Sequence, residues 1–290
     1  MAVLKVSLCI TTFNEEKSIK KLLDSIILQT RKPDEIILVD GGSTDETISI
    51  INSYKNKLKN LKLIVYTSAS ISKGRNLAVK NSKKEVIAMT DAGCVCDKNW
   101  LKNITEPFKN KSTSVVAGFY KMTGKSKFQQ SLKKYLGVLP KNFDDNFLPS
   151  TRSIAFRKNI WESVKGFDEK FDKAGEDTDF NQKILKNNFK IVRVKKAIVF
   201  WEVADNLKDA CKKFFYYARG DVQSGKLTKH NIKVLTIFLR YFIFILICPL
   251  FIVYLFYSYW KAGLWGIIIQ VSSDFAIMLG FLNGIYKTNN

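Results

Sequence analysis

Residues 35–47 of the chain read EIILVDGGSTDET. The apolar run 35–39 predicts a buried β-strand, and Asp40 follows it directly. Two glycines then allow the backbone to turn tightly, and Ser43 and Glu46 stand at the spacing of a capping box that opens a helix. The segment therefore predicts a strand, a tight turn and a helix, which is the repeating unit of a parallel sheet covered by helices.

The same unit recurs along roughly the first 90 residues. The apolar runs that predict strands are residues 4–11, 35–39, 61–66 and 85–90. Because ligands bind outside the carboxyl ends of such strands, we expect Thr11, Asp40 and Asp91 at one edge of the sheet, around a shared cleft. No GxGxxG sequence follows the first strand, and no Walker A lysine loop is present. We therefore expect an α/β fold with a Rossmann-like, mainly parallel sheet and helices on both faces.

A third acidic segment, AGEDTD at residues 174–179, carries Glu176 and Asp177 at the start of a predicted helix. Carboxylates do not bind phosphate directly, but they bind it through Mg²⁺ or Mn²⁺, which take oxygen ligands. Asp91 suits that role, and Asp40 suits contact with a base or a ribose. Each aspartate alone could instead be a turn residue or a helix cap, whereas acids that converge at one edge indicate a site.

The net charge of +21 is large. A basic group between Lys208 and Arg240 precedes the apolar C-terminal part, and basic residues beside a membrane span favour the cytoplasmic side and attract anionic lipid. Nucleic acid would also explain the charge, but no helix-turn-helix, zinc-finger or aromatic-basic RNA motif accompanies it. We expect membrane lipid as a partner and no nucleic acid.

The C-terminal part contains two long apolar segments. Residues 241–260 carry no charge, and residues 262–286 carry only Asp274. Each is long enough to cross a hydrocarbon layer of about 30 Å as a helix; buried core helices, or a second segment lying in the membrane interface, are the alternatives. Residues 207–225 predict an amphipathic helix on the membrane surface, or a packing helix with an aromatic face.

The remaining reactive residues favour carboxylate chemistry in a reducing compartment. The cysteines are odd in number and scattered, which does not suit a disulfide framework. His230 is the only histidine and stands in a plain polar segment, so a Ser-His-Asp or Cys-His mechanism has little basis. We expect no signal peptide.

Four segments together resemble the family 2 glycosyltransferases of the GT-A fold. They are SLCITTFNEE (7–16), EIILVDGGSTDET (35–47), SKGRNLAVKNSKKEVIAMTDAG (72–93) and PSTRSIAFRKNIWESVKGFDEKFDKAGEDTDF (149–180). They follow the family's order at compatible spacing, and the resemblance extends over about residues 4–220. This combination is far more specific than any one motif.

The resemblance implies a role for each matching residue. Asp177 would be the general base, Glu176 would orient the catalytic site, and Asp91 would face the ribose and bind the metal. The residues implied in nucleotide-sugar binding are Thr11, Phe13, Glu15, Asp40, Gly74, Arg75, Asn76, Asp91 and Gly93.

One position departs from the family pattern. Gly93 stands where the family usually has a second aspartate, its main metal ligand, and Trp201 stands near where many relatives have a histidine. The resemblance implies a divalent cation, Mg²⁺ or Mn²⁺, as cofactor. With Gly93, metal binding would be weaker, would use Asp97, or would be replaced in part by lysine or arginine.

The function implied is an inverting glycosyltransferase that moves a sugar from a UDP- or GDP-sugar to a lipid-linked or glycan acceptor at the cytosolic membrane face. The expected parts are a GT-A catalytic domain at 1–205, an amphipathic interfacial helix region at 206–232, and two transmembrane or membrane-embedded helices at 233–290. Such a chain would be a multi-pass cell-membrane protein with a cytoplasmic catalytic domain. The alternatives are a non-catalytic membrane scaffold that kept the fold, and a basic lipid- or nucleic-acid-binding protein.

Overall fold

The computed structural model describes residues 4–136, 140, 143–224 and 229–289. The strands within these ranges are β1 Val6–Thr12, β2 Glu35–Asp40, β3 Leu61–Val65, β4 Val86–Asp91, β5 Cys94–Cys96, β6 Val115–Thr123, β7 Ile154–Arg157 and β8 Ile191–Glu202. The helices are α1 Ile19–Ile27, α2 Thr47–Ser53, α3 Ile71–Asn81, α4 Trp100–Thr105, α5 Lys127–Lys133, α6 Lys158–Ser163, α7 Glu176–Lys186, α8 Leu207–Gln223, α9 Lys229–Leu246 and α10 Cys248–Asn289, with a 3-10 turn at Glu106–Lys109.

The strands form one mixed sheet in the order β3-β2-β1-β4-β7-β6-β8-β5. The first four strands of that order are parallel, because a helix connects each pair of consecutive strands and returns the chain to the same end. The pairs β4–β7, β6–β7 and β5–β8 are antiparallel. The four apolar runs predicted as strands are therefore confirmed, and so is the predicted α/β fold with a mainly parallel sheet.

The sheet is buried between layers of helices. On one face, side chains of β1, β2 and β4 pack with Ala78 and Val79 of α3 and with Phe180 and Ile184 of α7. This packing fixes where α3 and α7 begin relative to the carboxyl ends of the strands. Both helices carry residues of the predicted site, so the apolar core positions that site.

The turn after β2 differs from the predicted capping box. Helix α2 begins only at Thr47, and its cap makes no side-chain hydrogen bond. Ser43 instead donates its hydroxyl to Oδ2 of Asp40 at 2.6 Å, and Gly42 turns the chain with a φ of 90°. The prediction failed because the carboxylate of Asp40 engages Ser43 before the helix begins.

The chain divides into two compact units. The first comprises residues 1–121, 139–172 and 176–201, and it contains most of the sheet. The second comprises residues 122–138, 173–175 and 202–290, and it contains α5, α8, α9 and α10. The predicted division at residues 205 and 232 stays a prediction, and residues 225–228 lie outside the described part of the chain.

Within the second unit, α8 packs closely on α10. A Cβ on Gly280 would lie 2.2 Å from the carbonyl oxygen of Phe215, so only glycine permits this approach of the two backbones. The helix predicted from residue 207 thus has a packing partner, and its expected place on a membrane surface stays a prediction.

Helix α5 packs on the middle of α10, where the backbone of Ala262 and Gly263 is not helical. Ser131 donates to the carbonyl of Ala262 and the Tyr135 hydroxyl donates to the carbonyl of Gly266, each at 3.0 Å. The Phe128 ring meets the Trp265 ring edge-on at 5.1 Å. These contacts hold α5 against the kinked region of α10.

The apolar C-terminal part presents one candidate membrane span rather than two. Residues 241–260 do not form one helix, because α9 ends at Leu246 and α10 begins at Cys248 with Pro249 in its first turn. Among the described helices, only that at Cys248–Thr288 is long and apolar enough to cross a membrane. The expected multi-pass arrangement is corrected to one C-terminal apolar helix, which is a candidate membrane anchor.

Candidate functional site

The predicted residues Thr11, Asp40 and Asp91 lie at the same edge of the sheet. Asp40 ends β2 and is aligned with Thr12 of β1, whereas Asp91 ends β4 and is aligned with Thr11. Because successive residues of a strand point to opposite faces, this offset of one residue turns Asp40 and Asp91 to opposite faces of the sheet. The shared edge is as predicted, the two carboxylates leave the sheet on opposite faces, and their joint contact with one ligand stays a prediction.

The carboxylate of Asp40 is fully buried and engaged by its own turn. Its Oδ1 accepts from the backbone N–H groups of Gly42 at 2.9 Å and Ser43 at 2.7 Å, and its Oδ2 accepts from the Ser43 hydroxyl. A carboxylate in this position orders the turn after β2. Its burial argues against the direct contact with a base or a ribose that the sequence suggested.

Asp91 belongs instead to a buried ionic cluster centred on Arg75. The Arg75 side chain is 2% exposed, and its Nη2 lies 3.0 Å from Oδ1 of Asp91. Its Nη1 donates to Oε1 of Glu176, which is also buried. Arg75 comes from α3, Asp91 from β4 and Glu176 from α7. The fold thus joins three residues that the sequence separates by as many as 101 positions.

The cluster carries more negative than positive charge. Burial alone would lower the pKa of Arg75, but the charges of Glu176, Asp91 and Asp177 outweigh it and hold the pKa above its ordinary value. Burial raises the pKa of Glu176, Arg75 opposes that rise, and Asp177 adds to it. Oε2 of Glu176 is buried without a hydrogen-bond partner among the described residues. The cluster can therefore accept a further hydrogen bond or a positive charge.

Asp177, like Asp91, is a partly exposed acid. It follows Glu176 in the first turn of α7, and its Oδ1 accepts from the backbone N–H of Thr178 at 2.9 Å. Its Oδ2 lies 3.4 Å from the hydroxyl of Ser150, a residue that the sequence did not single out. Because Glu176 is bound to Arg75, the start of α7 and hence Asp177 are fixed beside the cluster.

Among the other residues implied in nucleotide-sugar binding, Thr11 lies beside Gly74 and Glu15 lies beside Gly93. Thr11 and Gly74 are in contact, since a Cβ on Gly74 would lie 3.2 Å from Cγ2 of Thr11. Phe13, at the edge of the sheet, is 53% exposed. Glu15 is half-buried and lies beside Gly93, where a Cβ would be 4.0 Å from its Oε2.

Asn76 has a different environment from the one expected. Its amide nitrogen donates to the carbonyl of Phe167 at 2.8 Å and to Glu169, and its amide oxygen accepts from the backbone N–H of Phe167 and from Trp161. These bonds tie α3 to the loop that follows α6. Its role at the nucleotide stays a prediction.

The residues around Asp91 do not fit a divalent cation. Gly93 supplies no ligand, and the described part of the chain has no group of three or more His, Cys, Asp or Glu side chains that could hold a metal. Asp97, the alternative ligand, accepts from the backbone N–H of Asn99 at 2.9 Å and orders the turn before α4. Oδ1 of Asp91 itself is already paired with Arg75.

The Arg152 guanidinium packs on Trp201, the residue that stands near where many relatives have a histidine. The Arg152 guanidinium carbon is 4.2 Å from the ring centroid of Trp201 and 5.2 Å from that of Tyr120. Nη1 of Arg152 donates to the Ser150 hydroxyl at 3.1 Å. Sequence reasoning missed Arg152, although a basic residue two positions before the buried strand β7 was a signal that could have indicated it.

The mainly parallel sheet with an acidic cluster at the strand ends is compatible with the glycosyltransferase class that the sequence motifs suggested. The model of Glycosyl transferase family 2 matches residues 7–179, and that of Glycosyl transferase family group 2 matches residues 112–285. The first match covers more than half of the chain. The chain belongs to Glycosyl transferase family 2.

Individual relatives agree with this assignment. Poly(ribitol-phosphate) beta-N-acetylglucosaminyltransferase TarP of Staphylococcus aureus is 27% identical over 191 residues, which cover 63% of this chain and 58% of TarP. The crystal structure of S. aureus TarS 1-349 in complex with UDP has 27% identity and a TM-score of 0.56, covering 75% of this chain and 65% of that one.

A more distant structure shares the fold alone. The mannosyltransferase PcManGT from Pyrobaculum calidifontis, in complex with GDP-Man and Mn²⁺, has 19% identity and a TM-score of 0.61, covering 76% of this chain and 62% of its own. The GT-A-like fold expected from the sequence is thereby confirmed. The chain spans less than two thirds of the length of each of these three proteins.

Proposed function

We propose that this chain is an inverting glycosyltransferase that moves a sugar from a UDP- or GDP-sugar to a lipid-linked or glycan acceptor, with Asp177 as the general base. The observation that carries the proposal is the cluster of Arg75, Asp91 and Glu176 with the partly exposed Asp177 beside it. The UDP and GDP-mannose named for structural relatives support the donor class.

In the reaction, Asp177 takes the proton of an acceptor hydroxyl while that oxygen attacks the anomeric carbon of the sugar. The bond from the anomeric carbon to the diphosphate oxygen breaks, and the nucleoside diphosphate leaves with the electron pair. One base and a single displacement invert the configuration at the anomeric carbon. Glu176 does not touch the acceptor in this scheme; it holds the first turn of α7 through Arg75.

The predicted metal and nucleotide contacts are revised in this proposal. The implied divalent cation is not assigned a step, because the donor set around Asp91 does not suit one. Thr11, Phe13, Glu15 and the Gly74 backbone are proposed to line the nucleotide pocket. Asp40 is proposed to shape the turn after β2 instead of contacting the base.

The acceptor and the cellular location follow from the C-terminal part. Large apolar side chains on α9 and α10 are exposed, such as Ile245, Phe256 and Trp260, which suits contact with lipid. We propose that the helix from Cys248 anchors the chain to the cell membrane and that catalysis takes place at its cytoplasmic face. A lipid-linked glycan, or a polymer such as the poly(ribitol-phosphate) for which TarP is named, suits that position.

The test is the substitution Asp177→Asn in full-length protein in detergent or membranes. Removal of a general base should lower sugar transfer at least about 100-fold, and UDP or GDP affinity should stay within about two-fold. Transfer is measured with a panel of nucleotide sugars, and affinity by isothermal titration calorimetry.

Asp179→Asn is the matched control. Asp179 is an acid of the same helical turn, but it pairs with Lys183 at 2.7 Å, so its loss should leave transfer near wild type. Equal activity of Asp177→Asn and wild type would disprove the base assignment. Nucleotide binding without turnover of any donor would favour the non-catalytic scaffold.

A further inference from the structure

We propose that Arg152 binds the donor diphosphate in the position that a metal-binding carboxylate and its cation would otherwise occupy. The inference rests on the proposed function and deepens it, because it assigns the charge that neutralises the leaving group. The ligand class is a nucleoside diphosphate.

The Arg152 guanidinium is held in one orientation. It stacks near the rings of Trp201 on β8 and Tyr120 on β6, and it donates to the Ser150 hydroxyl. Aromatic faces attract a guanidinium through their negative quadrupole and hold it parallel to the ring. Stacking therefore fixes the plane of a group whose N–H fork matches phosphate oxygens.

On one side, Arg152 lies beside the position of the missing aspartate. Trp201, on which it stacks, is aligned with Cys94 in the β5–β8 pair, and Cys94 directly follows Gly93. Burial and the negative charge of Asp91 raise the pKa of the Cys94 thiol, whereas the positive charge of Arg152 opposes the rise. The guanidinium is thus within electrostatic range of the turn that would hold a metal.

On the other side, Arg152 lies one hydroxyl away from the proposed base. Ser150 accepts from Nη1 of Arg152 at 3.1 Å, and its oxygen is 3.4 Å from Oδ2 of Asp177. A group that binds the leaving diphosphate must be near the reacting centre but need not touch the acceptor. Arg152 meets this requirement, since it stands between the Gly93 turn and the start of α7.

Arg152 also accounts for the unusual donor set. With Gly93 in place of an aspartate, the turn brings no second carboxylate, and Oδ1 of Asp91 is paired with Arg75. A fixed guanidinium supplies positive charge to the departing diphosphate without any metal ligand, and its preorganised dipoles need little rearrangement during the reaction. In this proposal, Gly93 removes a metal ligand and Arg152 supplies the positive charge that the metal would bring.

The experiment measures UDP and GDP binding to full-length protein by isothermal titration calorimetry, once in EDTA and once in Mn²⁺. We expect wild-type affinity to differ less than about three-fold between the two buffers, because the protein itself supplies the charge. Arg152→Ala should lower affinity at least about ten-fold in EDTA. Arg152→Lys should recover part of it, since lysine keeps the charge but lacks the planar fork.

Two further variants sharpen the test. Arg193→Ala removes an arginine that binds only backbone carbonyls of Phe147 and Ile191 in the contacts described here, and it should leave nucleotide affinity unchanged. Gly93→Asp restores the second aspartate where a Cβ meets nothing closer than 4.0 Å, and it should make binding at least about five-fold tighter in Mn²⁺ than in EDTA.

The outcomes separate this inference from the proposed function. Wild-type binding that needs Mn²⁺, or a folded Arg152→Ala protein that binds the nucleotide like wild type, would overturn the role of Arg152 alone. Folding of each variant is checked by its thermal transition, and Arg152→Gln replaces Arg152→Ala if the latter does not fold. Failure of the wild type to bind UDP or GDP in either buffer would overturn the proposed function itself.

Discussion

Arg75 and Arg240 each pair with a buried carboxylate, and the two clusters differ in their ratio of donors to acceptors. In the sheet unit, Arg75 serves both Asp91 and Glu176, and the charge of Asp177 acts on it as well. One cation is shared among several acids, and one oxygen of Glu176 has no hydrogen-bond partner.

In the helical unit, one carboxylate has an excess of donors. Oδ2 of Asp274 accepts from Arg240 at 2.7 Å, Tyr254 at 2.5 Å and Tyr241 at 3.2 Å, and Oδ1 accepts from Gln270 at 3.1 Å. Asp274 is the one charged residue of the apolar segment 262–286, and a charge among apolar helices is costly. The contacts instead give it the environment of a structural crosslink between α9 and α10.

The comparison teaches that burial of a charge is not by itself a sign of chemistry. A saturated carboxylate stabilises the helices around it, whereas an undersupplied cluster with a partly exposed member can still act on a ligand. Three substitutions test this distinction, beginning with the largest expected effect.

Arg75→Met removes the cation on which the acidic cluster depends. The buried Glu176 would then lie beside the partly exposed Asp91 without a compensating cation, and we expect the free energy of unfolding to fall by about 3–5 kcal/mol. Urea unfolding followed by tryptophan fluorescence measures the loss. The double variant Arg75→Met with Glu176→Gln should recover part of it, and a loss below about 1 kcal/mol would show that the cluster is not held by Arg75.

Asp274→Asn tests the saturated cluster. The amide keeps partners among the tyrosines but leaves Arg240 without a carboxylate, so we expect a loss of about 1–3 kcal/mol in unfolding free energy. Tyr254→Phe, which removes one donor of several, should cost about 1 kcal/mol. Nucleotide affinity should be unchanged in both variants; a three-fold or larger fall in affinity for Asp274→Asn would contradict a purely structural role.

The smallest effect concerns pH. Burial and the nearby Asp177 raise the pKa of Glu176 in the folded protein, so the folded state holds the Glu176 proton more tightly than the unfolded chain does. The resulting stability is fully present below the ordinary pKa of 4.5 and is lost as pH rises through the raised value. Between pH 4.5 and pH 7, the unfolding free energy of the wild type should therefore fall more than that of Glu176→Gln. The difference is about 1.4 kcal/mol for each unit by which the pKa of Glu176 in the folded protein exceeds its ordinary value.

Asp168→Asn provides a control of opposite sign. Burial alone would raise the pKa of Asp168, but hydrogen bonds and charge from Lys170 outweigh it and lower the pKa. Its contribution to stability is therefore present above the ordinary value of 3.8 and is lost as pH falls. Identical slopes between pH 4.5 and pH 7 for wild type and Glu176→Gln would show that Glu176 does not titrate as inferred.

The strands and their common edge could be predicted because short apolar runs and alternating helices leave few topologies. The face could not be predicted in the same way. Asp40 and Asp91 both end their strands, and only the register against Thr11 and Thr12 of β1 separates them. A difference of one residue reverses the face, and register depends on packing that the sequence pattern does not display.

The sequence indicated those cluster residues that lie in recognisable motifs. It did not indicate residues that only the tertiary structure brings to the site. Arg75 and Glu176 lie in motifs that resemble the family, although their mutual ion pair is a product of tertiary structure. Arg152 gains its environment from Tyr120 and Trp201, which are distant in sequence, so its position before β7 was the one local signal and did not reveal its partners. The length of an apolar run likewise did not disclose the break before Pro249.

The attachment of α5 to α10 has a practical consequence for producing a soluble version of this protein. A gene shortened to end at residue 205 would still encode α5, yet it would discard Trp265 and the carbonyls on which α5 rests. The Phe128 ring would be exposed to water, and Ser131 and Tyr135 would lose their acceptors. Soluble expression therefore calls for replacing residues 122–138 with a short polar linker at the same time as removing the candidate anchor helix.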